Sequence, residues 1–233
     1  VYRAIAEPQK FENHSFLMST IGMAESHDGI HFKNHRPFIT PEEDWERYGC
    51  EDPRVTKLKG RHYIFYTALS AFPFAAPGIR TAVAISDDNM QTITERHLVT
   101  PFNAKAMTLF PEKIDGKFTA ILTAHTDMRP SKTVIAQFER EEDIWSENYW
   151  QEFHKDLDTH ALNLKRGEHE RIEIGSPPLK TKYGWLLLYS HITKYDMPGT
   201  VFGIEAVLLD TYDPSKIIAR TMSPLLVPQE QYE

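Results

Sequence analysis

The chain has 233 residues, a formal net charge of -7, and 41% hydrophobic, 25% charged and 12% aromatic residues. This length supports one large domain with a sizeable core, and the acidic balance gives no generic attraction to nucleic acid or anionic membranes. No run approaches the ~18 apolar residues that span a bilayer, no basic-then-apolar leader is visible at the start, and Cys50 stands alone, so no internal disulfide forms; a cytoplasmic location is expected.

Taken in chain order, Val1-Tyr2-Arg3-Ala4 resembles Phe65-Tyr66-Thr67-Ala68, the end of a later strand, so the chain is expected to start inside a repeating unit. Residues 22–32 read as strand, Asp28-Gly29 turn and strand. Residues 55–68 read as a hairpin about Gly60, and 81–88 as the strand after it. The same design returns at 113–124 about Gly116, followed by 133–138, and at 180–191 about Gly184, followed by 202–210. Gly60, Gly116 and Gly184 recur at intervals of 56 and 68 residues. Between the last two copies, residues 139–171 are strongly charged, and a helix is expected over 148–164, as a solvated insertion. Pro224-Leu225-Leu226-Val227-Pro228 echoes Pro37-Phe38-Ile39-Thr40-Pro41, where a new unit follows.

Units of about four antiparallel strands at this spacing predict an all-β fold, a β-propeller in a single domain over 1–233. The chain would cover about four blades, truncated at both ends. The innermost strand of each blade starts near a central funnel. Glu51-Asp52-Pro53-Arg54, Leu109-Phe110-Pro111-Glu112 and Ser176-Pro177-Pro178-Leu179-Lys180 are the expected equivalents there, each with a proline capping strand pairing. Asp52 is the clearest acid facing that funnel. Partly shielded, it would keep a proton and donate it to a leaving oxygen; an Asp capping a turn before proline is the alternative. Lys105, Arg129 and Lys180, if they converge, make an anion pocket in an acidic protein, Arg gripping phosphate in a fork and Lys acting as a point charge. Arg3 and Arg54 are candidate ligand contacts, or else structural ion pairs. The eleven histidines show no recognised metal spacing.

These motifs resemble those of glycoside hydrolase family 130, the β-mannoside phosphorylases and related mannosidases. Tyr48-Gly49-Cys50-Glu51-Asp52-Pro53-Arg54-Val55 resembles the family signature. The run from Leu109-Phe110-Pro111-Glu112, then Arg129-Pro130-Ser131, then Pro177-Pro178-Leu179-Lys180 resemble its later motifs, and Asp213-Pro214-Ser215-Lys216 fits its later blade. The resemblance implies a five-bladed propeller in which Asp52 is the general acid, acting through a sugar hydroxyl, while inorganic phosphate attacks the anomeric carbon with inversion. It implies phosphate binding by Lys105, Arg129 and Lys180, and places Arg3, Glu51, Arg54 and Asp127 as substrate contacts. No cofactor or metal is implied; phosphate is a co-substrate and a β-mannoside oligosaccharide the substrate, and a homo-oligomer is compatible. Lys105 stands where many members have Arg, so the charge survives but the fork geometry does not; two departures weigh against phosphate, Thr20 where members often have Arg and Tyr189-Ser190-His191 where they often have Tyr-His-Gly. Hydrolysis, with Glu112 or Asp127 as a base about 6.5–9.5 Å from the acid, is one alternative; a non-catalytic carbohydrate-binding propeller is another.

Overall fold

The computed structural model describes residues 1–11, 14–87, 89–195 and 197–229; for 3–11, 14 and 15 it describes the backbone alone. Arg3 therefore has its side chain outside the described set. The first sheet holds β1 (Tyr2–Phe11), β2 (His14–Glu25) and β3 (Lys33–Ile39). The second holds β4 (Cys50–Leu58), β5 (Arg61–Leu69), β6 (Ile79–Ser86) and β7 (Glu95–Leu98). The third holds β8 (Ala104–Leu109), β9 (Phe118–Ala124) and β10 (Lys132–Phe138). In the fourth, β11 (Arg171–Ile174) and β12 (Leu179–Thr181) both pair β13 (Gly184–Thr193), which continues to β14 (Val201–Leu209) and β15 (Ile217–Arg220). All strand pairs within these sheets are antiparallel, and the fold is all-β apart from short helices. Among the described residues no helix is long and apolar enough to cross a membrane.

Two of the three expected glycine turns are made as written. Lys59 and Gly60 have φ of 51° and 85°, and Asp115 and Gly116 have 51° and 75°, so both central residues of each turn are left-handed. That is the two-residue geometry whose twist matches the flanking strands. Gly184 does different work: Thr181 pairs with it, so the turn is Lys182-Tyr183, and Gly184 is already in β13. A Cβ there would collide with the Leu209 carbonyl of β14, so this glycine allows a close approach of two strands.

Successive sheets stack face to face, and a separate core fills each gap. Strand periodicity sends alternate side chains to opposite faces. In β5, Ile64 and Tyr66 join Ile21, Met23 and Ile39 of the first sheet, while Tyr63 and Phe65 join Leu109, Phe118 and Leu122 of the third. In the third sheet, Ile121 and Ile135 turn the other way, onto Trp185, Leu187 and Val207 of the fourth. β9 is buried at all seven positions, as a strand covered on both faces must be.

The expected long helix is short. α1 (Glu147–His154) is capped by Ser146, whose hydroxyl accepts from the Tyr149 N–H, and it ends at Lys155. Beyond it, Leu162 N–H donates to Thr133 and Ala161 bridges Val134, so 160–164 forms an edge on β10 rather than more helix. Nor is the segment a solvated insertion: Trp150 and Phe153 of α1 are buried in the core between the second and third sheets.

Candidate active site

The first strand of each of the last three sheets is interrupted at the same place. In β4, Glu51 pairs with Thr67 but Arg54 pairs with Phe65, so the Asp52-Pro53 step bulges out by one residue. In β8, Lys105 pairs with Thr123 and Thr108 with Ile121, the same bulge at Ala106-Met107. Asp52 and Ala106 carry the same left-handed φ, 53° and 55°, as a bulge that re-aims a side chain requires. In the fourth sheet the ladder breaks between Ile174, paired with Tyr189, and Leu179, paired with Leu186.

This register corrects the expected equivalences. The residues on the rung of Glu51 are Lys105 and Glu173, opposite Thr67, Thr123 and Ser190. Glu112 and Lys180 lie instead at the hairpin ends of their strands, ion-paired with each other. Lys180 pairs with Trp185, four rungs from Tyr189, or ~13 Å at 3.3 Å per residue. The expected pocket of Lys105, Arg129 and Lys180 is therefore not assembled, and Glu112 is removed as a base. The prolines misled because Pro111 and Pro178 mark strand irregularities, not the rung of Asp52.

What does assemble is a mixed-charge cluster. Lys105 Nζ lies 3.1 Å from Asp127 Oδ1. Asp127 is fixed by buried Asn103: its Oδ2 accepts from Asn103 Nδ2 at 3.0 Å, and its N–H donates to Asn103 Oδ1 at 3.1 Å. Glu51 accepts a 2.9 Å bond from the Ser19 hydroxyl. Arg54 turns to the backbone: Nε donates to the Ile174 and Gly175 carbonyls and Nη1 to the Asp52 carbonyl at 2.9 Å, which holds the bulge in shape. That is a structural role, made to backbone carbonyls rather than through the ion pairs expected as its alternative. Asp52 itself is exposed rather than shielded.

Glu173 and Asn103 were not singled out by sequence reasoning. Half-buried Glu173 has its carboxyl pushed above the usual range. Burial is the main cause; the charges of Asp52 and Asp127 add to it, and Lys105 and Arg54 oppose it. Asp52, Lys105 and Asp127 are thus each within electrostatic reach of Glu173. The group offers one exposed carboxyl to deliver a proton, a second whose pKa burial raises, as at many acid–base sites, and an ion pair to hold polar ligand groups. Arg129, exposed, lies two residues past Asp127 and lines a neighbouring cavity.

Comparison with known proteins was made against this geometry. The family model of glycoside hydrolase family 130, described as β-1,4-mannooligosaccharide phosphorylase, matches residues 9–233. A β-1,2-mannobiose phosphorylase of Listeria innocua is 32% identical over 99% of this chain and 61% of its own length. A 1,2-β-oligomannan phosphorylase of Thermoanaerobacter sp. is 33% identical over 93% of this chain and 66% of its own. The chain thus spans less than two thirds of either relative. The solved Listeria innocua β-1,2-mannobiose phosphorylase, in complex with β-1,2-mannobiose, superposes with a TM-score of 0.74 at 28% identity, over 93% of this chain and 57% of that one.

Proposed function

The chain belongs to glycoside hydrolase family 130, and on that premise we propose that it cleaves β-mannosides by passing the mannosyl unit to inorganic phosphate with inversion, giving α-mannose 1-phosphate. The observation that carries this reading is the bulge that projects Asp52 beside the rung of Glu51, Lys105 and Glu173. In it the four stacked sheets are four blades of a five-bladed propeller, and this rung rims the axial pit. Asp52 supplies the proton to the leaving oxygen through a sugar hydroxyl, and phosphate approaches from the opposite face. Asp127, oriented by Asn103 and Lys105, holds sugar hydroxyls. The protein acts in the cytoplasm and uses no cofactor beyond its co-substrate.

The test is incubation of the full-length protein with β-1,2- and β-1,4-linked mannobiose, with and without phosphate. Phosphate-dependent release of α-mannose 1-phosphate is expected, and Asp52→Asn should lower turnover by at least ~100-fold, as loss of a general acid does, with little change in fold. Near-normal turnover in that variant overturns the acid assignment.

One observation favours a second reading, hydrolysis. Glu173 puts a carboxylate, not a cation, on the rung shared with Lys105, where it repels a phosphate dianion and suits a general base for water. Free mannose released without phosphate, and lost in Glu173→Gln, is the outcome that selects it.

A further inference from the structure

Asp127 sits on a turn whose first residue is His125. β9 ends at Ala124, and His125 takes the left-handed φ of 56° that opens the turn. Its N–H donates to the Asn103 carbonyl at 2.8 Å, and its carbonyl accepts from the Met128 N–H at 3.1 Å. Asn103 in turn holds Asp127 by two bonds. The imidazole of His125 meets a different element: its Nε2 lies 2.9 Å from Nε2 of His154, the last residue of α1. Both rings are half-buried and pack on Phe102, His125 edge-on at 6.2 Å and His154 tilted at 4.4 Å. Trp150 and Phe153 fix α1 in the core between the second and third sheets. The histidine pair therefore ties the Asp127 turn to a helix that is itself anchored.

Two ring nitrogens at this distance need a donor on one ring and a lone pair on the other. A neutral pair meets that need, and so does a pair with one extra proton. With both rings protonated, two N–H donors and two positive charges face each other, and the bond is lost. The neighbouring charges are matched elsewhere. Lys132 on β10 pairs with Asp158 at 2.6 Å, Lys155 after α1 with Glu152 at 2.6 Å, and Asp127 with Lys105 at 3.1 Å. His160 stacks on Phe153 at 4.1 Å. Burial first, then the charges of His154 and Lys132, hold the pKa of His125 below the usual histidine range. The pair thus keeps its bond near neutral pH and loses it in acid.

We propose that His125 and His154 are positioning residues that make mannoside binding sensitive to pH. While the pair shares an N–H, it clamps the Asp127 turn to α1. With both rings protonated the clamp opens, Asp127 loses its placement beside Lys105, and the sugar is held less tightly. The proposal rests on the reading in which Asp127 holds sugar hydroxyls, and it applies equally to phosphorolysis and to hydrolysis.

The test compares KM and kcat for a β-mannobiose in the full-length wild type, His154→Gln and His154→Ala between about pH 5.5 and 8, either side of the usual histidine pKa. A glutamine amide both donates and accepts, so it keeps a bond to His125 in either protonation state. Each enzyme is normalised to its own value at the upper pH, and the titrations of Asp52, Glu173 and phosphate are common to all three. In acid the wild-type KM is expected to rise at least ~3-fold more than that of His154→Gln, the order of one lost hydrogen bond. The kcat profiles should stay parallel, since Asp127 acts in binding. His154→Ala, which lacks the bond at every pH, is expected to show a raised KM throughout and no extra step in acid. A merely structural role would lower the melting temperature of the variants but leave the KM profiles of wild type and His154→Gln parallel, and parallel profiles overturn the proposal. Circular dichroism establishes that each variant is folded; should His154→Gln fail to fold, His125→Gln carries the same expectation. Asp127→Asn, measured alongside, separates the clamp from the reading beneath it. Divergent profiles with an unchanged KM in Asp127→Asn sink the sugar role of Asp127 and leave the clamp standing. Parallel profiles with a raised KM in Asp127→Asn do the reverse.

Discussion

Glu173 is held where burial and two carboxylates work against its charge, and this fixes the sign of its effect on stability. A carboxyl whose pKa is raised on folding contributes stability present below its unfolded pKa, about 4.3, and lost as pH rises through the folded value. Glu173→Gln is therefore expected to raise the melting temperature at pH 7–8, by roughly 2–4 °C if the relief is about 1 kcal/mol, and to leave it unchanged near pH 4. Melting curves across that range check it; an equal or lower melting temperature at pH 8 would contradict the assigned environment. Asp52 was legible in the sequence because Asp before Pro at a strand start is a local signal. Glu173 was not, because nothing within several residues of it is unusual. Its place follows from the pairing of β11 with β13, and from a gap of two extra residues before β12 that no local motif encodes. The same blindness put Lys180 in the pocket: Pro177-Pro178 read as the start of the strand, whereas the rung of Glu51 lies at Glu173, on the other side of the break in the ladder.

At the scale of elements, hairpins were readable wherever turn chemistry is local. Lys59-Gly60 and Asp115-Gly116 both adopt the left-handed pair that a two-residue turn demands. Gly184 fell outside that logic because its constraint is a neighbouring strand, β14, twenty-five residues away. The charged segment after β10 misled for a related reason: its composition reads as solvated, yet two of its aromatics, Trp150 and Phe153, anchor it. Trp150 is fully buried against Phe102, Phe138 and Phe153, with its ring N–H donating to the Ile144 carbonyl at 2.8 Å. α1 is too short to be stable alone, so this side chain and Phe153 hold it in place. Trp150→Ala is expected to cost ~3–5 kcal/mol through the cavity and the orphaned carbonyl. Urea denaturation followed by circular dichroism measures it; a cost under ~1 kcal/mol would mean that the helix is only peripheral.

Across the described sheets, the stack is joined not only by its cores but by polar ties from strand to strand. The Thr56 hydroxyl meets the Thr108 hydroxyl at 3.0 Å, linking the second sheet to the third. The Thr123 hydroxyl donates to the Ile172 carbonyl at 3.1 Å, linking the third to the fourth. Arg54 closes the set by reaching from the second sheet to the fourth, past the third, with Nε and Nη2 on the Ile174 and Gly175 carbonyls. Those carbonyls lie where the β11–β13 ladder breaks, so Arg54 supplies donors that no strand provides. The guanidinium is the side chain suited to this, since its planar fork serves several acceptors at once whereas an ammonium is a single point. The same group also holds the Asp52 carbonyl, so the tie between sheets and the shape of the Asp52 bulge depend on one residue. Arg54→Lys should therefore not behave as a conservative change. Its expected cost is ~1–3 kcal/mol, that of leaving a buried acceptor unsatisfied, with a loss of turnover larger than that of stability because Asp52 is no longer held. Denaturation midpoints and kcat, measured on the same preparation, separate the two effects. Retention of both in the lysine variant would show that the sheets keep their arrangement without the fork and that the bulge holds itself.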